Sequence, residues 1–117
     1  MIPFGIHTVT LYHKDGSGYT KYVLTRCSWR PKDVHSYADN ALTHTVETTC
    51  RFSSDMQKPS AGDLFVLGEC TETVSSDIEA SRLRDRIVRE GGQAFRATAV
   101  SDNANGAPLP HYAATGV

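Results

Sequence analysis

Apolar and polar residues alternate along most of the first half of the chain, and this period of two predicts β-strands. Residues 6–14 and 19–30 alternate in this way. Between them, Asp15-Gly16 and Gly18 supply the turn chemistry of a hairpin. The side chains predicted to share inward faces on this hairpin are Val9 and Leu11 on one strand and Val23, Thr25, Cys27 and Trp29 on the other.

Residues 42–52 form the most regular alternating stretch, and they predict a third strand. Residues 64–70, LFVLGEC, are almost continuously apolar, which favours a short strand buried on both faces. Residues 94–102 predict the last strand. The face expected inward on the third strand carries Leu42, His44, Val46, Thr48, Cys50 and Phe52.

Two polar stretches that contain proline interrupt these strands. Pro31 has no amide hydrogen for a central strand, so residues 31–41 are predicted to be a loop. Residues 53–61 are predicted to be a second loop, and residues 103–117 a turn followed by a C-terminal tail. We expect the order of both loops to depend on partners.

One stretch has the period of an α-helix, near residues 76–90. Ser76 and Glu79 have the spacing of a capping box, and Gly91-Gly92 is typical of a left-handed helix end. The narrow apolar stripe of this helix is predicted to consist of Ile78, Ala80, Leu83 and Ile87.

The order of these elements predicts a mainly β protein of the α+β class. We expect a twisted antiparallel sheet or small open β-barrel, with one inserted α-helix near residues 76–90. A chain of 117 residues is the usual size of one domain, so residues 1–117 are expected to form a single domain.

Composition and charge narrow the function classes. Twelve basic and thirteen acidic residues leave a net charge of −1, which gives little support to sequence-independent binding of nucleic acid phosphates. Proteins are therefore expected as partners, and direct DNA binding is not. The longest apolar run, Leu64 to Leu67, is far too short to span a bilayer, and the N-terminus has no secretory pattern, so we expect a cytoplasmic protein without membrane contact.

Candidate chemistry is sparse. Cys27, Cys50 and Cys70 contain no CxxC pair, and the five histidines add no close ligand spacing, so neither a metal site nor a thiol nucleophile is favoured. We predict no enzyme activity and no cofactor. The candidate interaction surface consists of helix arginines and hairpin tyrosines: Arg82, Arg86, Arg89, Tyr12 and Tyr22.

These surface residues leave two interpretations open. The arginines either form a solvated face with local ion pairs or contact a partner. Trp29 either belongs to the core or joins the tyrosines in an interface.

Four stretches together resemble the small head–tail connector or minor capsid proteins of tailed phages and prophages. They are VTLYHKDGSGYTKYVLTRCSWR, LTHTVETTCRF, AGDLFVLGEC and FRATAVSDNANGAPLPHYAATG, which span nearly the whole chain. The matching positions are Trp29, Gly62, Asp63 and Gly68, and the resemblance implies a structural role for them. The insert SSDIEASRLRDRIVREGG is longer and richer in arginine than that pattern, which leaves open whether it faces a neighbouring subunit, the tail or DNA.

The resemblance implies a non-enzymatic virion component with a β-barrel core. Such a head-closure protein assembles as a homo-oligomeric ring beneath the portal, is monomeric in isolation, and contacts portal, tail or neighbouring connector subunits. Its location would be the virion, and the cytoplasm of the bacterial host before assembly. The alternative from another class is a small β-barrel binding module for a peptide, a ligand or a nucleic acid strand.

Overall fold

A computed structural model of the protein describes residues 5–16, 18–38, 41–54, 56–103 and 110–117, with the side chains of 34–38, 41–45 and 103 left out. It contains one α-helix and six β-strands within these residues. The strands are β1 His7–Asp15, β2 Gly18–Ala38, β3 Ala41–Ser53, β4 Leu64–Leu67, β5 Ala94–Asn103 and β6 His111–Gly116, and the helix is α1 Asp77–Arg89.

The six strands form a closed antiparallel barrel in the order β1-β2-β3-β6-β5-β4. Closure comes from β1, which pairs with β2 on one side and with β4 on the other. The predicted mainly β fold with one inserted helix is confirmed, and the barrel is closed rather than open. Because the barrel is closed, its strands have no exposed edges where they pair with neighbours on both sides.

The interior of the barrel is filled by aromatic and small apolar side chains. Phe65 stacks on Phe95 with ring centroids 4.9 Å apart, and Trp29 packs against Phe95 at 5.3 Å. Trp29 is therefore a core residue, only 7% exposed. The interior cluster consists of Val9, Leu11, Leu24, Cys27, Trp29, Cys50, Phe52, Phe65, Phe95, Ala97 and Ala114.

A β-bulge in β2 changes which residues point inward. His7 pairs with Cys27 whereas Val9 pairs with Leu24, so two residues of β2 lie opposite one residue of β1. Arg26, at the bulge, has a φ of 55°. The predicted inward face of β2 is therefore wrong before the bulge: Leu24 is buried, and Val23 is exposed.

A second apolar cluster lies outside the barrel, beneath α1. It joins β1, β4 and β5 to the helix through Tyr12, Leu64, Val66, Val74, Ala80, Leu83 and Ala94. The prediction that β4 is buried on both faces is confirmed, because Phe65 faces the barrel interior and its neighbours face the helix. Ile78 does not join the predicted helix stripe, since it is 64% exposed.

The sequence predicted both ends of α1. Ser76 is the N-cap, and its hydroxyl accepts from the amide of Glu79 at 3.2 Å. The Glu79 carboxylate binds the amide and hydroxyl of Ser75. At the other end the amides of Gly91 and Gly92 donate to Val88 and Ile87, which is the Schellman pattern.

The predicted loop at 31–41 is wrong for residues 31–38 and for Ala41, and residues 39–40 lie outside the described residues. β2 continues through Pro31 to Ala38, and Pro31 lies opposite Thr48 of β3. Past Cys27, β2 has no second strand neighbour among the described residues. Proline is tolerated there because an edge position does not need its missing amide hydrogen.

The predicted C-terminal tail at 103–117 is also wrong over its final part, and residues 104–109 lie outside the described residues. Residues His111–Gly116 form β6, which pairs with both β3 and β5 and so completes the barrel. Ala114 of this strand is fully buried. The predicted loop at 53–61 begins where β3 ends, at Ser53.

Candidate interaction surfaces

The outer face of α1 carries the three arginines that the sequence singled out. Arg82, Arg86 and Arg89 follow one another at helical spacing and lie on one side of the helix. Together with the segment just before the helix, they line an open groove of about 590 Å³.

The charges in this groove are mixed. Arg86 donates to Glu72 at 2.7 Å, and this hydrogen bond raises the pKa of Arg86. Glu79 and Asp85 add two more carboxylates to the lining. A surface with both signs of charge suits polar contacts to a protein better than it suits a nucleic acid backbone.

The two candidate tyrosines have different environments. Tyr12 is only 1% exposed, so its predicted place on an interaction surface is wrong. Its hydroxyl donates to the carbonyl of Glu72 at 2.7 Å, and burial raises its pKa. Tyr22 remains half-buried and lines a surface depression of about 430 Å³ with Val23 and Met56.

A polar cluster fixes the N-terminal end of α1 to the barrel. The Tyr19 hydroxyl donates to Asp77 at 2.5 Å, and Lys14 Nζ donates to the same carboxylate at 3.1 Å. Arg96 donates to the hydroxyls of Tyr19 and Ser81 at 3.0 and 2.8 Å. Burial and the bond to Asp77 raise the pKa of Tyr19 to about 12, so it remains a donor at neutral pH.

The same cluster makes stability depend on pH through Asp77. The hydrogen bonds from Tyr19 and Lys14 lower the pKa of Asp77, so its stabilising effect is present above the ordinary value of about 4 and is lost as pH falls through the lowered one. Asp77→Asn should lower the melting temperature at pH 7, and the difference from wild type should shrink as the pH falls below the ordinary pKa of an aspartate, about 4. Asp85→Asn, on the same helix, is the control. A difference that stays constant with pH would contradict this assignment.

Gly62, Asp63 and Gly68 lie at the two ends of β4. Gly62 has a φ of 94° and Gly68 a φ of 91°, which is the region that favours glycine. Asp63 is fully buried and accepts from the amides of Ser60 and Lys14 at 2.8 and 2.9 Å. The carboxylate therefore closes the turn before β4 and ties it to β1.

Gly68 ends β4 by bringing the chain back to β1. Its amide donates to the carbonyl of Thr8 at 2.7 Å, and its carbonyl accepts from the Thr10 hydroxyl at 2.8 Å. The same hydroxyl accepts from the amide of Cys70 at 2.8 Å. This buried threonine holds the stretch from Gly68 to Cys70 in place, and its role was not visible in the sequence.

The cysteines lie where strands pack. Cys27 and Cys50 are fully buried, and Cys70 is half-buried. A hydrogen bond with Cys27, together with burial, raises the pKa of Cys50 well above its usual range, which disfavours the thiolate that a nucleophile needs. Within the described part of the chain, no three histidine, cysteine or acidic residues cluster as metal ligands would.

A two-stranded ribbon extends beyond the barrel, and the sequence did not predict it. β2 pairs with β1 only as far as Cys27, and β3 pairs with β6 only from Thr48 onward. Beyond these points, Lys32–Ala38 and Ala41–Glu47 pair with each other. These two ranges are hereafter called the arm. The alternating pattern of residues 42–52 was the signal from which the ribbon could have been predicted. The part of this strand that lies beyond β6 needs another strand as its partner.

A profile of the family of unknown function DUF6751 matches residues 4–117. The chain belongs to this family. Neither the curated proteins nor the solved structures yield a match. The DUF6751 match includes every strand and the helix described above, so the barrel, the arm and α1 all lie within the family's span. Among the described residues, no helix combines the length and apolar character needed to cross a membrane.

Proposed function

We propose that this DUF6751 protein is a structural component of a phage or prophage virion, of the head–tail connector or minor capsid class. It acts through ring assembly and protein–protein contacts, without catalysis or a cofactor. Its partners are portal, tail or neighbouring connector subunits, and its location is the virion after assembly in the bacterial cytoplasm. The resemblance of four sequence stretches supports the class, and the arm supports the mode of action.

The arm is the single observation that carries the proposal. A two-stranded ribbon is only marginally stable alone in water, because it has no sheet neighbours and no core of its own. Its open edges also offer unpaired backbone groups to other chains. An arm of seven residue pairs, from Lys32–Glu47 to Ala38–Ala41, therefore suits a protein whose ribbon is covered by a neighbour.

The four positions that match the connector pattern are compatible with a structural role. Trp29 lies in the core, where its indole nitrogen donates to Gln93 at 2.9 Å. Gly62, Asp63 and Gly68 shape the ends of β4. All four positions stabilise the barrel itself. Contacts with partners are therefore assigned to the arm and to α1.

Gene deletion in the phage or prophage that carries this chain tests the proposal. The deletion should leave DNA-filled heads without attached tails, visible by electron microscopy, and should abolish infectious particles. The wild-type gene supplied in trans should restore both. Tailed, infectious particles in the deletion strain would overturn the proposed function.

The groove on α1 favours a second candidate, a β-barrel binding module. Arg82, Arg86 and Arg89 would hold an acidic peptide or a nucleic acid strand there. Electrostatic binding of this kind predicts an affinity that falls steeply as salt rises. Titration of labelled poly-glutamate and of labelled single-stranded DNA, at low and physiological salt, tests it with Arg82→Gln/Arg86→Gln/Arg89→Gln as the variant. Equal binding by the variant would exclude this groove.

A further inference from the structure

We propose that the arm of one copy adds edge to edge to the arm of a second copy, with the β2 edge of one against the β3 edge of the next. The inference deepens the proposed function, on which it rests for its biological setting. The partner is thus a second copy of this chain, and the contact is strand addition.

Both edges of the arm are open within the described residues. β1 pairs with β2 no further than Cys27, and β6 pairs with β3 only from Thr48 onward. Among the described residues, each arm strand therefore has a strand neighbour on one side only. Pro31 lacks an amide hydrogen and blunts the root of the β2 edge, which places the pairing from Lys32 outward.

The geometry of the arm favours unlike edges. β2 and β3 are antiparallel within the arm. When two copies stand side by side in the same orientation, the β3 edge of one is therefore antiparallel to the β2 edge of the next. Contacts between unlike edges are heterologous and repeat from copy to copy, and such contacts form a ring when the rotation closes.

Charge at the arm root also favours unlike edges. Lys32 on β2 lies opposite Glu47 on β3, and both side chains are exposed. Parallel pairing of two β2 edges would bring lysine near lysine, and parallel pairing of two β3 edges would bring glutamate near glutamate. Pairing β2 with β3 places Lys32 of one copy beside Glu47 of the next, and opposite charges across strands are favourable.

An uncovered apolar groove lies beside the root of the β3 edge. Val46, Val88 and Val117 are 44%, 44% and 41% exposed and line this groove of about 280 Å³. Arg84 lines it as well, and its buried Nε atom has no hydrogen-bond partner among the described residues. A strand added to β3 would cover the valines and bring carbonyl oxygens near this nitrogen.

Disulfide trapping between differently tagged copies tests the pairing. Lys32→Cys is placed in one copy and Glu47→Cys in the other, both with Cys70→Ser, since Cys70 is half-buried while the other two native thiols are fully buried. Each copy then has one accessible thiol, so a disulfide must join two chains. Under mild oxidation with diamide, the mixed dimer should exceed either homodimer at least several-fold. Only about twice as much mixed dimer as either homodimer, which is the result of random pairing, or no covalent dimer, would overturn the proposal.

Charge reversal supplies an independent readout. At protein concentrations high enough for the isolated chain to self-associate, Lys32→Glu and Glu47→Lys should each weaken self-association by roughly fivefold to tenfold in sedimentation experiments, because like charges then face each other. Mixing the two variants should restore association, since each contact again joins opposite charges. Lys58→Glu, remote from the arm in a pair with Asp102, is the matched control. Failure of the mixture to recover would contradict pairing of unlike edges.

These outcomes separate the two proposals. If mixed dimers are trapped but the deletion strain makes normal tailed particles, the arm contact is supported and the virion function is rejected. Tailless heads without trapped dimers would retain the virion function and reject the arm contact.

Discussion

Asp63→Ala is expected to lower the free energy of unfolding by about 3–4 kcal/mol, since it removes a buried charged acceptor from several donors. The carboxylate is fully buried. It accepts from the amides of Lys14 and Ser60 at 2.9 and 2.8 Å, and His13 Nδ1 lies 2.9 Å from the same oxygen that Ser60 contacts. Alanine would leave these groups without the buried acceptor that they share.

Urea unfolding followed by circular dichroism measures this effect. Asp63→Asn keeps the size of the side chain and one carbonyl oxygen, so it should cost less than alanine. Asp85→Ala on the exposed face of α1 should change the free energy of unfolding by about 0.5 kcal/mol or less. An Asp63→Ala effect as small as that of Asp85→Ala would show that the carboxylate does not hold the turn.

The sequence could predict that Asp63 shapes a turn but could not predict its other partners. Turn chemistry is local, since Asp63 and Ser60 are three residues apart. Lys14 and His13 are about fifty residues away, and only closure of the barrel brings β1 beside β4. The same limit applies to Thr10, whose hydroxyl binds the stretch from Gly68 to Cys70.

Alternation predicted where strands lie more reliably than which face is buried. The face of β2 changes at the bulge beside Arg26, which depends on pairing with β1. Tyr12 was predicted to lie on an interaction surface, but it is buried in the apolar cluster beneath α1. A local pattern cannot show which outer face another element will cover.

The wrong predictions of a loop at 31–41 and of a tail at 103–117 have the same physical reason. Pro31 and the small residues of β6 are poor strand formers by local criteria, and each lies in a strand because of its neighbours. β6 fits between β3 and β5, while Pro31 lies at the edge of β2 just before the arm. The helix, whose caps and period are local, was predicted almost to the residue.

Phe95→Ala is expected to lower the free energy of unfolding by about 4 kcal/mol, the second large effect. Phe95 is 1% exposed and lies between two aromatic neighbours. Its ring stacks on Phe65 at an interplanar angle of 5°, and it packs against Trp29 at 46°. Truncation removes both contacts and leaves a cavity that the hydrogen-bonded barrel strands cannot close.

Trp29 is the only tryptophan in the chain, so its fluorescence reports directly on this site during urea unfolding. Phe95→Leu fills part of the cavity and should cost less than alanine, while Val100→Ala, on an exposed position of the same strand, should cost about 0.5 kcal/mol or less. The native emission of Phe95→Ala should shift to longer wavelength as water approaches the indole. If Phe95→Ala matched Val100→Ala in both stability and emission, the aromatic stack could not be the centre of the core.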